Sequence, residues 1–158
     1  MAFSSPTHQP NPHPPNRILR MKFTSAILSL AALFSVASAD IVRYNQIYDN
    51  PSYSLNGVAC SNGPNGLVTD GFDTLGELPT FPGVGGVFAV SGWGSPECGS
   101  CWRLEYNGNR IHVIAIDTIS DGFDISLAAM NTLTGGNAVA LDSVDANARQ
   151  VHKFHCGL

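Results

Sequence analysis

Basic residues are scarce in this chain. Lysine and arginine number eight, and three of them, Arg17, Arg20 and Lys22, fall within the first 22 residues. From Asp40 onward five Lys/Arg face twelve Asp/Glu, a net charge of −7. Nucleic-acid binding relies on basic patches that neutralise phosphate, so that class of partner is not expected. Beyond residue 40 no apolar run approaches the roughly 20 residues that a helix needs to span a bilayer, so membrane insertion is not expected either. The chain has no G-x-S-x-G, no H-E-x-x-H, no phosphate-binding loop and no Asn-x-Ser/Thr sequon. Esterase, metalloprotease and nucleotide-binding chemistry therefore lack their usual motifs, and no cofactor is expected. Internal repeats are also absent.

The chain opens with "MAFSSPTHQPNPHPPNRILR", rich in Pro, Asn, His and Ser and without apolar periodicity. "MKFTSAILSLAALFSVASAD" follows, with a basic start at Lys22, an apolar run from Ala26 to Val36, and small residues Ala37, Ser38 and Ala39. These are the three parts of a secretory signal. The expected organisation is a spurious or disordered N-terminal extension at 1–20, a signal peptide at 21–39, and one small domain at 40–158 that is exported.

All four cysteines, Cys60, Cys98, Cys101 and Cys156, lie in that domain. An even count in a small exported domain reads as a disulfide framework with three possible connectivities. A Cys98–Cys101 redox pair would need βαβ surroundings that are missing. A zinc set of Cys98, Cys101, His152 and His155 has a gap of about fifty residues, far outside finger spacing, so no metal is expected. The two remaining arrangements, which send Cys98 and Cys101 to separate partners, stay open on spacing alone.

Strand patterns dominate from Ile41 onward. "GGVFAV" (Gly85 to Val90) is a short apolar run. "CWRLEY" and "RIHVIAID" flank Asn107-Gly108-Asn109, a hairpin signal. Ile111, Val113 and Ala115 alternate with His112, Ile114 and Ile116, which predicts a strand buried on both sides. "NAVALDSV" and "ARQVHKFHC" read as two further strands. One helix is expected over "ISLAAMNTL", capped by Asp124 and ended by Gly135–Gly136. Asn56 to Gly86 is loop-rich. The expected class is mainly β, a compact barrel with one or two short helices.

Asp117 ends an otherwise apolar strand where no turn or cap uses it, which marks it as a site candidate. Asp121 and Asp124 follow, in positions that turns and caps also favour. A glycosidase would need a second carboxylate at the right separation. Asp49, Glu77, Glu97 and Asp121 are the candidates, and no context singles one out. Tyr44, Tyr48, Tyr53, Trp93, Trp102 and Tyr106 offer aromatic faces that suit sugar rings, although Trp102, beside a disulfide cysteine, is expected in the core.

The stretches "YNQIYD", "CSNGPNGL", "LPTFPGVGG", "CGSCW", "YNGNRIHVIAID", "DGF", "AMNTLT" and the terminal "CGL" occur in that order. Together with the four cysteines they give the chain, from about Val42 to Leu158, a close resemblance to the cerato-platanins, small secreted fungal proteins. The resemblance implies a six-stranded double-ψ β-barrel related to the expansin barrel, with disulfides Cys60–Cys98 and Cys101–Cys156. It also implies a non-catalytic wall protein that binds chitin or N-acetylglucosamine oligomers in a shallow groove. Loosening of cellulose without hydrolysis, self-assembly at interfaces, and elicitor or virulence activity through a plant receptor belong to the same picture. The groove residues carried over are Tyr48, Asp49, Asp117, Asp121, Gly122, Phe123 and Asn131. Asp124, where relatives often carry Asn, departs from the pattern, as does the extension at 1–20. The rival readings are a weak glycoside hydrolase centred on Asp117 and a surface-active, self-assembling protein.

Overall fold

The computed structural model describes Met1, Ala2 and residues 39–158. The expected extension and signal peptide therefore lie, but for those first two residues and Ala39, outside the described residues. Six strands close into a barrel: β1 (Ala39–Tyr44), β2 (Val84–Val87), β3 (Cys101–Tyr106), β4 (Asn109–Thr118), β5 (Phe123–Ile125) and β6 (Val144–Val151). Their order around the barrel is β1-β5-β2-β4-β3-β6. β1 with β5 and β2 with β4 are parallel, and the other neighbours are antiparallel. The expected mainly-β barrel, with two short helices and two disulfides, is what the described residues form.

Local chemistry accounts for several elements. Asn107 and Gly108 both adopt positive φ, 47° and 84°. That is the geometry of a type I′ turn, whose twist matches the flanking strands β3 and β4. β4 is buried from Val113 to Ile116 on both faces, as its double apolar alternation predicts. The "GGVFAV" strand lies slightly earlier than expected, at Val84–Val87. Its adjacent glycines let β2 pack tightly, since a Cβ on Gly85 would collide with the backbone oxygen of Asp124.

Three expectations are corrected. The helix α1 (Leu127–Thr134) is capped by Ser126, whose Oγ accepts the Ala129 N–H at 2.9 Å, and not by Asp124. Asp124 sits instead in β5, pointing away from the core between buried Phe123 and Ile125, because strand alternation overrides its capping preference. Gly135 ends α1 in the left-handed conformation at φ 65°, as expected. "NAVALDSV" is not a strand: Ala138–Leu141 forms a single helical turn, α2, started when Asn131 Oδ1 accepts the Ala138 N–H at 3.2 Å. A short apolar run without alternation is compatible with either state, and here a tertiary hydrogen bond decides. The last segment supplies one strand, β6, followed by a 3₁₀ turn at Lys153–Cys156.

The core gathers Val42, Leu104, Val113, Phe123, Ile125, Met130 and Leu133. Phe88, Trp102 and Phe123 pack edge to face with ring centroids 5.3–5.9 Å apart. A satellite of Leu55, Leu67, Leu75 and Leu78 fills the loop-rich side. Disulfides join Cys60 to Cys98 and Cys101 to Cys156, so the C-x-x-C is a junction between two bridges. Both candidate zinc sulfurs are thereby spoken for. Among the described residues no helix is long and apolar enough to cross a membrane.

Candidate functional site

Strand register assembles a polar row. Gly86 on β2 is paired on one side with Asp117 of β4 and on the other with Asp124 of β5. Asp124 pairs in turn with Arg43 of β1. At about 4.8 Å per strand spacing, the two aspartate backbones flank the glycine about 10 Å apart. A shift in register between Gly85 and Gly86 accompanies this alignment, and such irregularities commonly re-aim side chains beside sites.

Asp117 is held by three donors. The Tyr48 hydroxyl donates to Oδ2 at 3.1 Å, and the amides of Ala59 and Thr118 donate to Oδ1 at 3.0 and 2.9 Å. Tyr48 lies on the 3₁₀ turn Gln46–Asp49 and is only 6 % exposed. Burial, followed by the Asp117 charge, raises its pKa far above the usual phenol range. Its hydroxyl therefore stays protonated and donates to the carboxylate. A Cβ on Gly86 would stand 3.6 Å from that hydroxyl, which places the Tyr48 tip over the glycine of the row. With its ring buried, Tyr48 orients Asp117 and does not present an open stacking face.

The other expected residues have separate tasks. Asp49 accepts the amides of Leu127 and Ala128 at 2.8 Å each, and so anchors the N-terminus of α1. Asp121 is exposed and pairs with Arg43 at 3.3 Å. Gly122 has φ +66°, and a Cβ there would collide with the Ile41 backbone oxygen, so only glycine fits. Phe123 is fully buried against Trp102 and Phe88. Asn131 serves the start of α2. The structure thus brings Tyr48 and Asp117 into contact. No hydrogen bond among the described residues links Asp121 or Asn131 to Asp117.

Sequence reading missed two contributors, Arg43 and Gly86, and named a third, Trp93, only as one of six aromatics. Arg43 and Gly86 join the row only through long-range register. Trp93 is 66 % exposed and held by its indole N–H, which donates to Asn62 Oδ1 at 3.1 Å. Asn62 is three residues from Ala59, whose amide sits on Asp117. The exposed ring is thus tied, through Asn62, to the segment that begins at Ala59. Its signal in the sequence was the flanking "SGWGS", a tryptophan between glycines with no apolar neighbours to bury it.

Burial raises the pKa of Asp124, while the Asn45 side chain and Arg43 pull it down. Below the ordinary carboxylate range both native and unfolded states hold the proton, and the residue carries no penalty. As pH rises through the ordinary value, the unfolded chain loses the proton first, so native stability falls and stays lower at neutral pH. Asp124→Asn is expected to raise the melting temperature at neutral pH and to leave it unchanged in strong acid. Scanning calorimetry across that range checks this, and a variant that melts no higher at neutral pH contradicts it.

Residues 41–158 match the family model described as Cerato-platanin. The chain is similar to the "Heat-stable 19 kDa antigen" of Coccidioides immitis (strain RS), 40 % identical over 145 residues that cover 87 % of this chain and 99 % of the relative. It is also similar to the crystal structure of cerato-platanin 3 from M. perniciosa, with TM-score 0.74 and 41 % identity over 76 % of this chain and 99 % of that one. The solution structure of "the fungal elicitor Cerato-Platanin" matches with TM-score 0.67 and 39 % identity over 73 % of this chain and 95 % of that one. Barrel, disulfides and alignment along nearly the whole length of these relatives agree, and the chain belongs to the cerato-platanin family.

Proposed function

We propose that this protein is a secreted, non-enzymatic binder of β-1,4-linked N-acetylglucosamine oligomers, the fragments of chitin, with cellulose as a related ligand. The observation that carries the reading is Asp117, an acceptor oriented by three donors in a polar row, with the exposed Trp93 ring tied through Asn62 to the segment that begins at Ala59. A carboxylate and an aromatic face are the two groups a sugar needs, one for its hydroxyls and amides and one for its C–H face. Each carboxylate that the sequence offers as a partner for Asp117 has a structural task. Asp49 anchors α1, and Glu77 accepts the amides of Asp73 and Thr74. Glu97 accepts from Gln150, and Asp121 pairs with Arg43. Binding without an acid/base pair would loosen a glucan by competing for interchain hydrogen bonds. The elicitor role, with recognition by a plant receptor, rests on likeness to a relative described as a fungal elicitor.

Titration with chitotetraose, followed by NMR, is expected to shift resonances of Asp117, Ala59 and Trp93. Silence at all three would replace this reading with that of a surface-active, self-assembling protein. A weak hydrolase is favoured by one observation: Asp124 and Asp117 both pair with Gly86, so two carboxyl-bearing residues share the row. New reducing ends from chitin or cellulose oligomers, lost in Asp117→Asn, would establish it.

A further inference from the structure

Four of the five cations of this acidic domain lie on or beside β3, β4 and β6. Of the five Lys/Arg in residues 40–158, Arg43 pairs with Asp121 in the polar row. The others, Arg103, Arg110, Arg149 and Lys153, lie on β3, β4, β6 and the 3₁₀ turn after β6. Register then sharpens the grouping. On the outer face of the barrel, away from Trp102 and Leu104, Arg103 stands directly opposite His112 of β4 and Arg149 of β6. Like charges directly opposite one another destabilise a sheet, so this row is held in place at a cost. His155 lies parallel over His112 with ring centroids 5.6 Å apart, which extends the row.

Compensation inside the face is thin. Glu105 is shared between two guanidinium groups, Arg103 at 3.3 Å and Arg110 at 3.2 Å. Arg149 is exposed and has no ion-pair partner among the described residues. The Nε of Arg103 is buried without a hydrogen-bond partner, and buried donors are seldom left so. Burial, with His155, Arg103 and Arg110 nearby, holds the His112 pKa below its usual range.

A cleft of about 300 Å3 opens beside this face, between Thr80–Gly83 and α1. Arg110 and His112 line it together with Thr80 and Thr132. The concavity thus combines positive charge, an imidazole and hydroxyls, and it is lined by none of the residues of the Asp117 row.

We propose that the outer face of β3, β4 and β6, with the adjoining cleft, is a second binding surface, and that its ligand is a carboxylated, uronate-bearing polysaccharide. The row places the guanidinium groups of Arg149 and Arg103 on adjacent strands about 4.8 Å apart, with the imidazole of His112 next to them as a hydrogen-bonding group. That spacing suits a chain carrying one carboxylate per sugar ring. Duplex nucleic acid, with one charge per about 1.7 Å of its axis, needs a broader basic surface than this row offers. This surface is independent of chitin-fragment binding at Asp117.

The test is retention of the purified protein on immobilised polygalacturonate at low salt. Expected results are retention that falls as salt rises, and no retention on the fully methyl-esterified polymer, in which the charges are removed. Arg149→Glu, at an exposed position, is expected to weaken binding about tenfold, with a melting temperature no lower than wild type, since it relieves the like-charge pair with Arg103, and with an unchanged chitotetraose titration. Equal retention on the esterified polymer, no retention at all, or full retention by Arg149→Glu would each overturn the proposal. So would stronger capture by anionic phospholipid vesicles or by duplex DNA than by polygalacturonate.

Discussion

Reduction of both disulfides is expected to unfold the barrel at room temperature. Cys60–Cys98 and Cys101–Cys156 close segments with sequence separations of 38 and 55 residues. On the loop-entropy estimate each bridge contributes about 4 kcal/mol. Their sum of about 8 kcal/mol is comparable with the whole stability of a small domain, about 5–15 kcal/mol. The two loops follow one another along the chain without overlapping, so neither bridge substitutes for the other. Circular dichroism melting with and without reductant measures the effect. The single-bridge variant Cys101→Ser/Cys156→Ser is expected to melt about 15 °C lower. The sulfurs of Cys98 and Cys101 are buried and separately bonded, so partial reduction should yield destabilised protein with no dithiol oxidoreductase activity. An unchanged melting curve under full reduction would show that packing alone sustains the barrel.

Asp117→Ala is expected to damage both fold and binding. It removes the acceptor of three donors and strands the Tyr48 hydroxyl and the Ala59 amide in partly buried surroundings. Unsatisfied groups of this kind cost about 1–3 kcal/mol each, so a loss of about 3 kcal/mol is expected. Asp117→Asn keeps the shape and one acceptor oxygen, and is expected to cost only about 1 kcal/mol. The two variants separate structure from recognition. If the carboxylate reads the sugar, the Asn variant folds, keeps its melting temperature within a few degrees, and still loses chitotetraose affinity at least tenfold. Wild-type affinity in the Asn variant would show that Asp117 is a structural pin and would move the ligand elsewhere.

Several features were legible because their causes are local. The Asn107–Gly108 turn, the doubly apolar β4 and the Gly135 helix end each follow from a few neighbouring residues. The even cysteine count in a small domain was equally plain. Asp117 could be picked out because a charged residue at the end of an apolar run is conspicuous in one dimension. Asp124 was misplaced for the same reason: its local preference for a helix cap lost to β5, a strand defined by distant partners on β1 and β2.

Composition and pattern were enough for the class of the molecule: mainly β, disulfide-bonded, acidic from Asp40 onward, with a conspicuous acid at Asp117. Resemblance extended this to the cysteine pairing and the family. Tertiary structure alone decided which side chains meet. It set Asp117, Gly86 and Asp124 in one row, turned Phe123 inward and Trp93 outward, and lined up Arg149, Arg103 and His112 on the outer face. The physical reason is register. A residue's own preferences say that it lies in a strand and which way it alternates. Its neighbour across the sheet depends on the closure of the whole barrel, and both the Asp117 row and the cationic face are made of such neighbours.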